Sequence, residues 1–427
     1  MIVYPILMMF SILVAGGWIF VAIGAAGLFL LYFQVGSDFA NLAGMMVWKY
    51  LNSWTLGALP LFIFMGELAL KGGFGERLYS GLSRLIGGLP GGLVQSNIVS
   101  CSAFAAICGS SLATSATIGT VAYASQVEKG YNKKAVIGSL AAGGTLGPII
   151  PPSIAFIIYG VITEQSIGTL FLAGLVPGVL LAILYMLVVA FLSKGKAVDT
   201  STLAKNPSRI GSKGILMALT NLLPAVILMT CILGGIFSGL VTPTEAAGLS
   251  IVLVMILCAV YGSLNLRNLR EAMADAMKIT AMIMVIIACT GVLTFAVSFA
   301  GLILRLQEFI QNLNFPPLVI LILIYLVYFI LGLFLDPASI MLVTVPFFYP
   351  IVVTQLGFDP IWFGVVVVVL GEIGVLTPPV GLHIFVLQGI SGEPFDEVVR
   401  SVIPFLCAQI VLLALITAFP IMAIWCC

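Results

Sequence analysis

Charge is what this chain has least of. Only 8% of its 427 residues are Asp, Glu, Lys or Arg, while 61% are hydrophobic. A soluble domain of ordinary composition carries about 25% charged residues, so a water-facing globular surface is excluded for most of the chain. The net charge of +1 gives no general attraction to nucleic acid. His383 is the only histidine, so no multi-histidine metal centre and no H-E-x-x-H motif can form. The eight cysteines contain no C-x-x-C pair and read as small buried hydrophobes. Cys426 and Cys427 read as a plain apolar end. There is no G-x-x-x-x-G-K-[ST] loop, which excludes ATP hydrolysis by this chain, and no G-x-S-x-G elbow. The N-terminus lacks a cleavable signal pattern, so the first apolar run is expected to be retained.

Long apolar runs are what the chain has instead. Residues 5–33, 171–192, 215–237 and 402–424 approach or exceed the ~20 residues that cross a bilayer. The expected fold is an all-α polytopic membrane protein. The first 33 residues suit either one long tilted helix or two short ones. Basic residues mark the cytoplasmic side. They cluster at Lys71–Arg77–Arg84, at Lys129–Lys133–Lys134, in a polar linker over 194–214, and at Arg267–Arg270–Lys278. The linker separates a first half, 1–193, from a second, 215–427. Amphipathic stretches at 37–50 and 264–277 suit arms lying in the two interfaces.

One pattern occurs twice, as Gly144-Thr-Leu-Gly-Pro-Ile-Ile-Pro-Pro152 and Gly371-Glu-Ile-Gly-Val-Leu-Thr-Pro-Pro379. The offset is 371 − 144 = 227. Each copy places a helix-breaking G-x-x-G-x-x-x-P-P inside a run that should cross the bilayer, at about 134–165 and 361–390. Breaking a membrane helix frees backbone groups that lipid cannot satisfy. Paired interruptions of this kind point to a transporter binding site. Ahead of each lies a further segment: about 91–126, flanked by basic clusters at both ends, and about 317–352, which has no Lys or Arg and is flanked by weakly charged loops. The first turns at a run of small hydroxyl residues around Gly109–Thr117, which suits a re-entrant hairpin; two full spans with a polar outer loop are the alternative. At the common offset Gly109 aligns with Asp336 and Thr117 with Thr344. Charge placement sends the two halves in opposite directions, so the expected architecture is an inverted structural repeat with two re-entrant hairpins and two broken helices.

A helix that ends at a break presents bare carbonyls, and one that begins there presents bare amides. The carbonyls suit a small cation and the amides an anion. Hydroxyls of Ser110, Ser111, Thr114, Thr145, Ser339 and Thr377 complete an oxygen shell of the kind a hard monovalent cation such as Na⁺ requires. The repeat implies one cation per half. An isolated Gly or Ser also suits close helix packing, but packing does not require two matched breaks. Asp336-Pro337 reads as a helix N-cap with Pro in the first turn, and equally as a cation ligand. Glu372 stands where the first copy has Thr145. An acid at that depth is costly and points to function. Glu67 and Glu245 are weaker candidates near an interface, and His383 reads as a satisfied polar contact rather than a proton relay.

Four stretches together resemble the large membrane subunit of tripartite ATP-independent periplasmic (TRAP) transporters. They are Cys108–Gly119, Gly144–Ser153, Pro60–Gly66 and Gly371–Gly381, and the likeness spans essentially the whole chain. The resemblance implies a Na⁺-driven importer of organic acids in the bacterial inner membrane, not an enzyme. It implies an elevator-type transporter of the ion transporter superfamily, in which a domain carrying both hairpins slides against a scaffold. The implied partners are a small four-helix membrane subunit and a periplasmic substrate-binding protein. By similarity, one Na⁺ site falls at Gly109, Ser110, Ser111, Thr114, Gly144, Thr145, Gly147 and Pro148. The other falls at Asp336, Ser339, Gly371, Glu372, Gly374 and Thr377. The organic acid is placed between the tips, against Ser111, Thr114, Pro151, Ser153, Ser339 and Pro378, with Arg305 a possible source of positive charge. Candidate acids are sialic acid, placed first, C4-dicarboxylates and related sugar acids. Two other readings compete: a stand-alone Na⁺/carboxylate symporter of the same superfamily, and, remotely, an intramembrane hydrolase using a hairpin Ser with His383.

Overall fold

The computed structural model of the chain describes residues 3–87, 89–193 and 212–425. Among these every regular element is helical, and eight helical segments are long and apolar enough to cross a bilayer. This is a multi-pass membrane protein whose backbone polar groups are satisfied within helices, as hydrocarbon requires. Most of the 194–214 linker and Cys426–Cys427 lie outside the described residues. Of the other cysteines, Cys101, Cys108 and Cys258 are buried as expected. Cys231 and Cys407 instead sit on exposed faces of apolar helical segments.

The first half begins with two helices, not one: α1 (Val3–Val14) and α2 (Ile19–Val35). Gly16, at φ +79°, takes the left-handed conformation that ends α1. Next come α3 (Phe39–Leu51), α4 (Ala58–Lys71) and α5 (Phe74–Ile86). A hairpin follows, α6 (Leu93–Cys108) and α7 (Ser111–Glu128). The first broken helix is α8 (Lys133–Gly144) and α9 (Ile154–Thr163), and α10 (Ile167–Ser193) closes the half.

The second half holds α11 (Ser212–Met229), α12 (Pro243–Val260), α13 (Leu266–Phe299) and α14 (Leu302–Asn312). Its hairpin is α15 (Pro317–Gly332) and α16 (Pro337–Tyr349), the latter extended by a π-turn over Pro350–Gln355. Its broken helix is α17 (Pro360–Leu376) and α18 (Leu382–Ser391). Helix α19 (Phe395–Ala418) and the short α20 (Ile421–Ile424) end the chain. The starts of α8 and α17 differ by 360 − 133 = 227, the spacing of the two glycine motifs.

One expected arm is not separate. The stretch 264–277 runs straight into the next span as the single helix α13. In the first half, Asn52 and Ser53 interrupt the equivalent path, and Ser53 Oγ pairs with Thr55 Oγ1 at 2.7 Å. Small polar side chains that compete for backbone partners favour such a turn. At the 227 offset their counterparts are Ile279 and Thr280, inside an apolar run that keeps the helix going. Glu245 also has a local explanation. Its carboxylate accepts from Thr242 N at 2.8 Å and Thr242 Oγ1 at 2.9 Å, a capping box that starts α12.

The broken helices run antiparallel. Lys133 and Lys134, at the start of α8, pair with Glu393 at 2.5 Å and Glu397 at 3.0 Å, where α18 ends and α19 begins. At the opposite end Tyr159 in α9 donates to the Pro360 carbonyl at the start of α17, at 2.6 Å. Solvent-accessible ion pairs contribute about 0–1 kcal/mol each, so helix packing rather than charge holds this arrangement. That packing is crossed between the halves, with α7 against α18 and α16 against α9. The two arms of the first hairpin are clasped in the interior by Asn97 Nδ2 donating to Gln126 Oε1 at 3.1 Å, while Gln126 Nε2 reaches Tyr79 OH at 2.8 Å.

Candidate functional site

The first tip is built by two residues. Gly109 takes φ +62° and ends α6, and Ser110 caps α7 by accepting from Ala113 N. This tip rests directly on the first break. A side chain on Gly109 would meet the Pro152 carbonyl at 3.0 Å, and one on Gly147 would meet the Ser110 carbonyl at 3.0 Å. Gly66, in the Pro60–Gly66 stretch of α4, packs on the backbone of Cys108 just before the tip. After the break Ser153 caps α9. It accepts from Phe156 N at 3.2 Å and donates to the Pro148 carbonyl at 2.5 Å. The segment 145–153 between the half-helices is buried throughout except at Ile150.

The second tip is built differently. Asp336 caps α16: Oδ2 accepts from Ser339 N at 3.2 Å and Oδ1 accepts from the Ser339 hydroxyl. The capping role anticipated for Asp336 is therefore present, with both carboxylate oxygens engaged. The break here is also shorter. Helix α17 continues through Gly371, Glu372 and Gly374 and stops at Leu376, so the helix is not opened at Gly371. Both glycines instead permit contact. A side chain on Gly371 would meet Pro337 at 3.1 Å, and one on Gly374 would sit 2.5 Å from the Gly332 Cα. The carbonyls released at the helix end are those after Ile373 and Gly374, since Thr377 Oγ1 donates to Ile373 O at 2.6 Å and Thr377 N to Gly374 O at 3.0 Å.

The halves meet between these tips. Gly144 is enclosed by Ser111, Ser115 and His383; a side chain there would meet the Ser111 carbonyl at 2.8 Å and His383 Cε1 at 2.9 Å. His383 Nδ1 lies 2.8 Å from Ser115 Oγ, and Ser115 Oγ donates to the Leu140 carbonyl at 3.1 Å. With its single proton spent on that carbonyl, Ser115 accepts from His383 Nδ1–H, an assignment by hydrogen-bond logic. His383 Nε2 is then a lone pair without a partner, 3.9 Å from Glu372 Oε2. Glu372 is fully buried and neither carboxylate oxygen has a hydrogen-bond partner. Ser111 and Asp336 are the groups that act on it most directly. Ser111, at the start of the first hairpin's second arm, is the hydroxyl that faces it from the first half.

The remaining candidates divide into those with free donors and those already committed. Thr145 Oγ1 pairs with Tyr185 OH at 2.8 Å and donates to Ala142 O at 2.7 Å, so its hydroxyl is turned into the packing against α10. Thr114 Oγ1 donates to the Ser110 carbonyl at 2.8 Å and touches Cys108 Sγ at 3.2 Å. Pro151 is buried beside the first tip, whereas Pro378 is half-buried; each precedes a second proline through a cis bond. Arg305 is exposed on α14, a helix tied through Gln307 and Gln355 to the far end of the second hairpin. It does not supply charge to the tips. A cavity of about 350 Å³ lies elsewhere too, between Lys49, Tyr50, Ser53 and Thr55 and the end of α9 at Glu164 and Gln165.

Ser115, Tyr185 and the link through His383 were not anticipated. Ser115 carried a faint signal, one helical turn after Ser111 in the hydroxyl run; Tyr185 carried none. The His383–Ser115 bond makes a prediction. His383→Leu removes the donor and leaves buried Ser115 facing hydrocarbon, a loss of about 1–3 kcal/mol. His383→Asn restores an N–H near the Nδ1 position. The expected result is a lowered Tm in detergent for the leucine variant, largely recovered by asparagine.

The donor set lacks the three acidic, imidazole or thiolate ligands of a divalent-metal centre, judged over the described residues. It consists of one orphaned carboxylate, hydroxyls and released carbonyls. A buried carboxylate with two unpaired oxygens needs a cation or a proton, and these residues fit a hard monovalent cation.

The chain is similar to known proteins along nearly its whole length. Residues 6–422 match the family described as "Tripartite ATP-independent periplasmic transporter, DctM component". It is 35% identical to the C4-dicarboxylate TRAP transporter large permease protein DctM of Pseudomonas aeruginosa, over 86% of this chain and 84% of that one. It is 34% identical to the sialic acid TRAP transporter large permease protein SiaM of Vibrio cholerae, over 89% and 88%. The isethionate TRAP transporter permease protein DctMQ of Oleidesulfovibrio alaskensis is 30% identical over 96% of this chain but only 63% of its own length. The crystal structure of the Alcanivorax borkumensis YdaH transporter superposes with a TM-score of 0.62 over 91% of each chain. At 15% identity that likeness concerns the fold alone.

Proposed function

Since the chain belongs to the DctM-component family of tripartite ATP-independent periplasmic transporters, we propose that it is the large permease subunit of a Na⁺-coupled importer of an organic acid in the bacterial inner membrane. The single observation that carries the coupling is Glu372. A fully buried carboxylate with both oxygens unpaired beside a helix end needs a proton or a cation, and in this reading a bound Na⁺ takes the place of the proton. When bound, Na⁺ supplies that balance and nothing chemical is transformed. Glu372, Ser339 and the carbonyls near Thr377 hold one ion beside Asp336. Ser110, Ser111, Thr114 and the carbonyls around Gly144–Pro148 hold the other. Thr145 belongs to the first site by position only, because its hydroxyl faces Tyr185.

The acid lies between the two tips, against Ser111, Thr114, Pro151 and Ser153 from the first half and Ser339 and Pro378 from the second. The half-helices α7 and α9 point their N-termini there, each capped by a neutral serine, which favours an anion. Sialic acid and C4-dicarboxylates are the leading classes, since they are the named substrates of the two relatives with the highest identity given above.

The transport step is an elevator movement of an inverted repeat. Supporting this, the broken helices are antiparallel and each hairpin's second arm packs on the other half's broken helix. Hairpins and breaks thus form one interlocked unit that can move as a body. A small four-helix membrane subunit and a periplasmic binding protein complete the machine; the longer DctMQ relative is consistent with a fused extra segment.

Reconstitution in proteoliposomes tests this reading. Uptake of N-acetylneuraminate or succinate is expected only with an inward Na⁺ gradient, and only with the small subunit and a binding protein present. Equal uptake in a K⁺ gradient would overturn the coupling. Full activity of the isolated chain would favour a stand-alone symporter.

A further inference from the structure

The deep donors of the candidate site are shut in. Glu372, Thr114 and Ser153 are 0% exposed and Ser339 is 1% exposed. An ion or an organic acid reaches them only when a wall of the site moves. Sliding the whole unit does not open it, because all its walls travel together. The two hairpins are walls of the site, and they are held in very different ways.

The first hairpin is clamped. Helix α6 has twelve of its sixteen residues buried and is packed by α4, α5, α7, α8, α10 and α11. Its limbs are joined by a reciprocal amide pair. Asn97 Nδ2 donates to Gln126 Oε1 at 3.1 Å, and Gln126 Nε2 donates to Asn97 Oδ1 at 2.5 Å. The pair is anchored on both flanks, by Tyr79 OH of α5 at 2.8 Å and Ser139 Oγ of α8 at 2.9 Å. Gly91 and Gly92, both at positive φ, would make a pivot at the base. Tyr131 covers it, its hydroxyl accepting from Leu93 N at 3.3 Å. Parting these limbs would break several buried bonds together, which is costly in a dry interior.

The second hairpin has no such clamp. Helix α15 has five of its sixteen residues buried and packs mainly on α16 and α17. Leu318, Ile322, Leu326 and Ile330, one turn apart, are exposed. Among the described residues, the one side-chain polar approach between α15 and α16 is Tyr328 toward Thr344. Thr344 gives its own proton to the Ile340 carbonyl at 2.6 Å. The limb α16 contains Pro346 and passes into a π-turn at Pro350. Prolines and π-turns are where helices bend. Its counterpart α7 is an unbroken helix with neither. The end of α15 is seated on α17 through Gly332 and Gly374, whose backbones touch with no side chain to interlock. At the base, Gln307 Nε2 donates to the Pro350 carbonyl at 3.4 Å and Gln355 Nε2 to the Gln307 carbonyl at 3.2 Å, while Gln355 Oε1 has no partner.

We infer that the second hairpin is the gate of the site and the first is a fixed wall. Helix α15 and the tip at Asp336 swing away from α17, with the bend at Pro346–Gln355. Gly332 parts from Gly374, and Glu372 and Ser339 are uncovered. The inference rests on the reading above that ion and acid bind between the tips.

Hydrogen–deuterium exchange of the full chain in nanodiscs in KCl, read by mass spectrometry, tests this without transport or Na⁺. Peptides over 330–340 should exchange about tenfold or more faster than those over 106–115, after correction for intrinsic rates. Pro346→Ala restores a helix hydrogen bond and should slow exchange at 330–340 by about tenfold, leaving 106–115 unchanged. If that variant has a lowered Tm, Gln355→Leu is the second test: freeing the base from α14 should speed exchange at 330–340. The gate is overturned if 106–115 exchanges as fast as 330–340, or if the folded variant leaves 330–340 unchanged. Na⁺-driven uptake alongside equal exchange rejects only the gate. Unequal exchange without Na⁺-driven uptake keeps the unequal hairpins and rejects only the coupling.

Discussion

Replacing Gly144 with alanine is expected to lower uptake by ~100-fold or more while the chain still reaches the membrane. The added methyl would overlap Ser115 Oγ and press on the Ser111 carbonyl at 2.8 Å and His383 Cε1 at 2.9 Å. None of these can yield cheaply. Ser115 is bonded to both the Leu140 carbonyl and His383, and Ser111 begins the second arm of the hairpin. The first tip must therefore move off the break. Displacements of about 1 Å at a positioned site cost on the order of 10²-fold in rate. Overpacking of this sort also costs about 1–3 kcal/mol of stability, less than would unfold a typical domain. Gly248→Ala is the matched control, because a side chain at Gly248 meets nothing within 4 Å. Radiolabelled uptake, normalised to the amount of chain in the membrane, measures the difference. Near-normal uptake by Gly144→Ala would show that the tip and the break need not touch.

Glu372→Gln should abolish or severely weaken the dependence of transport on Na⁺. The substitution preserves shape and one carbonyl oxygen but removes the charge. Removing one member of a buried, charge-compensated pair costs about 3–5 kcal/mol, which converts to roughly 10²–10⁴-fold in half-saturating Na⁺. Uptake at ordinary Na⁺ should then be lost, with partial recovery only at the highest concentrations. An unchanged Na⁺ response would remove Glu372 from the coupling site and leave it a buried structural acid. Tyr185 offers an internal comparison. Its hydroxyl is held by Thr145 at 2.8 Å, so Tyr185→Phe should cost stability rather than shift Na⁺ activation.

Several elements were readable along the chain because their causes are local. Run length predicts the spans. The hairpin turn at Gly109–Ser110 follows from a left-handed glycine and a serine cap. The first break follows from Gly147-Pro148 and Pro151-Pro152, none of which extends a helix easily. The capping box at Thr242-x-x-Glu245 was equally local, yet Glu245 reads at first as a candidate site because an acid beside an apolar run invites that reading.

Other features depended on partners far along the chain. Gly371 and Gly374 match the first motif letter for letter, but α17 stays helical through both. Whether a glycine opens a helix or admits a neighbour depends on the neighbour, and here the neighbours are Pro337 and Gly332. The arm at 264–277 fuses with its span because Ile279 and Thr280 replace a polar turn. Arg305 is a candidate source of positive charge for the acid by sequence and an exposed residue of α14 in space.

The paired G-x-x-G-x-x-x-P-P motif, the hydroxyl-rich hairpin and the scarcity of charge by themselves determined a polytopic helical transporter of this family. Those features are set by what each short stretch can do with its own backbone in lipid. Only the tertiary structure decided which donors remain free. Thr145 is taken by Tyr185, Asp336 by Ser339 and Ser115 by His383, while Glu372 is left with no partner. Satisfaction of a buried polar group depends on every helix around it, and those helices come from positions as much as 268 residues apart.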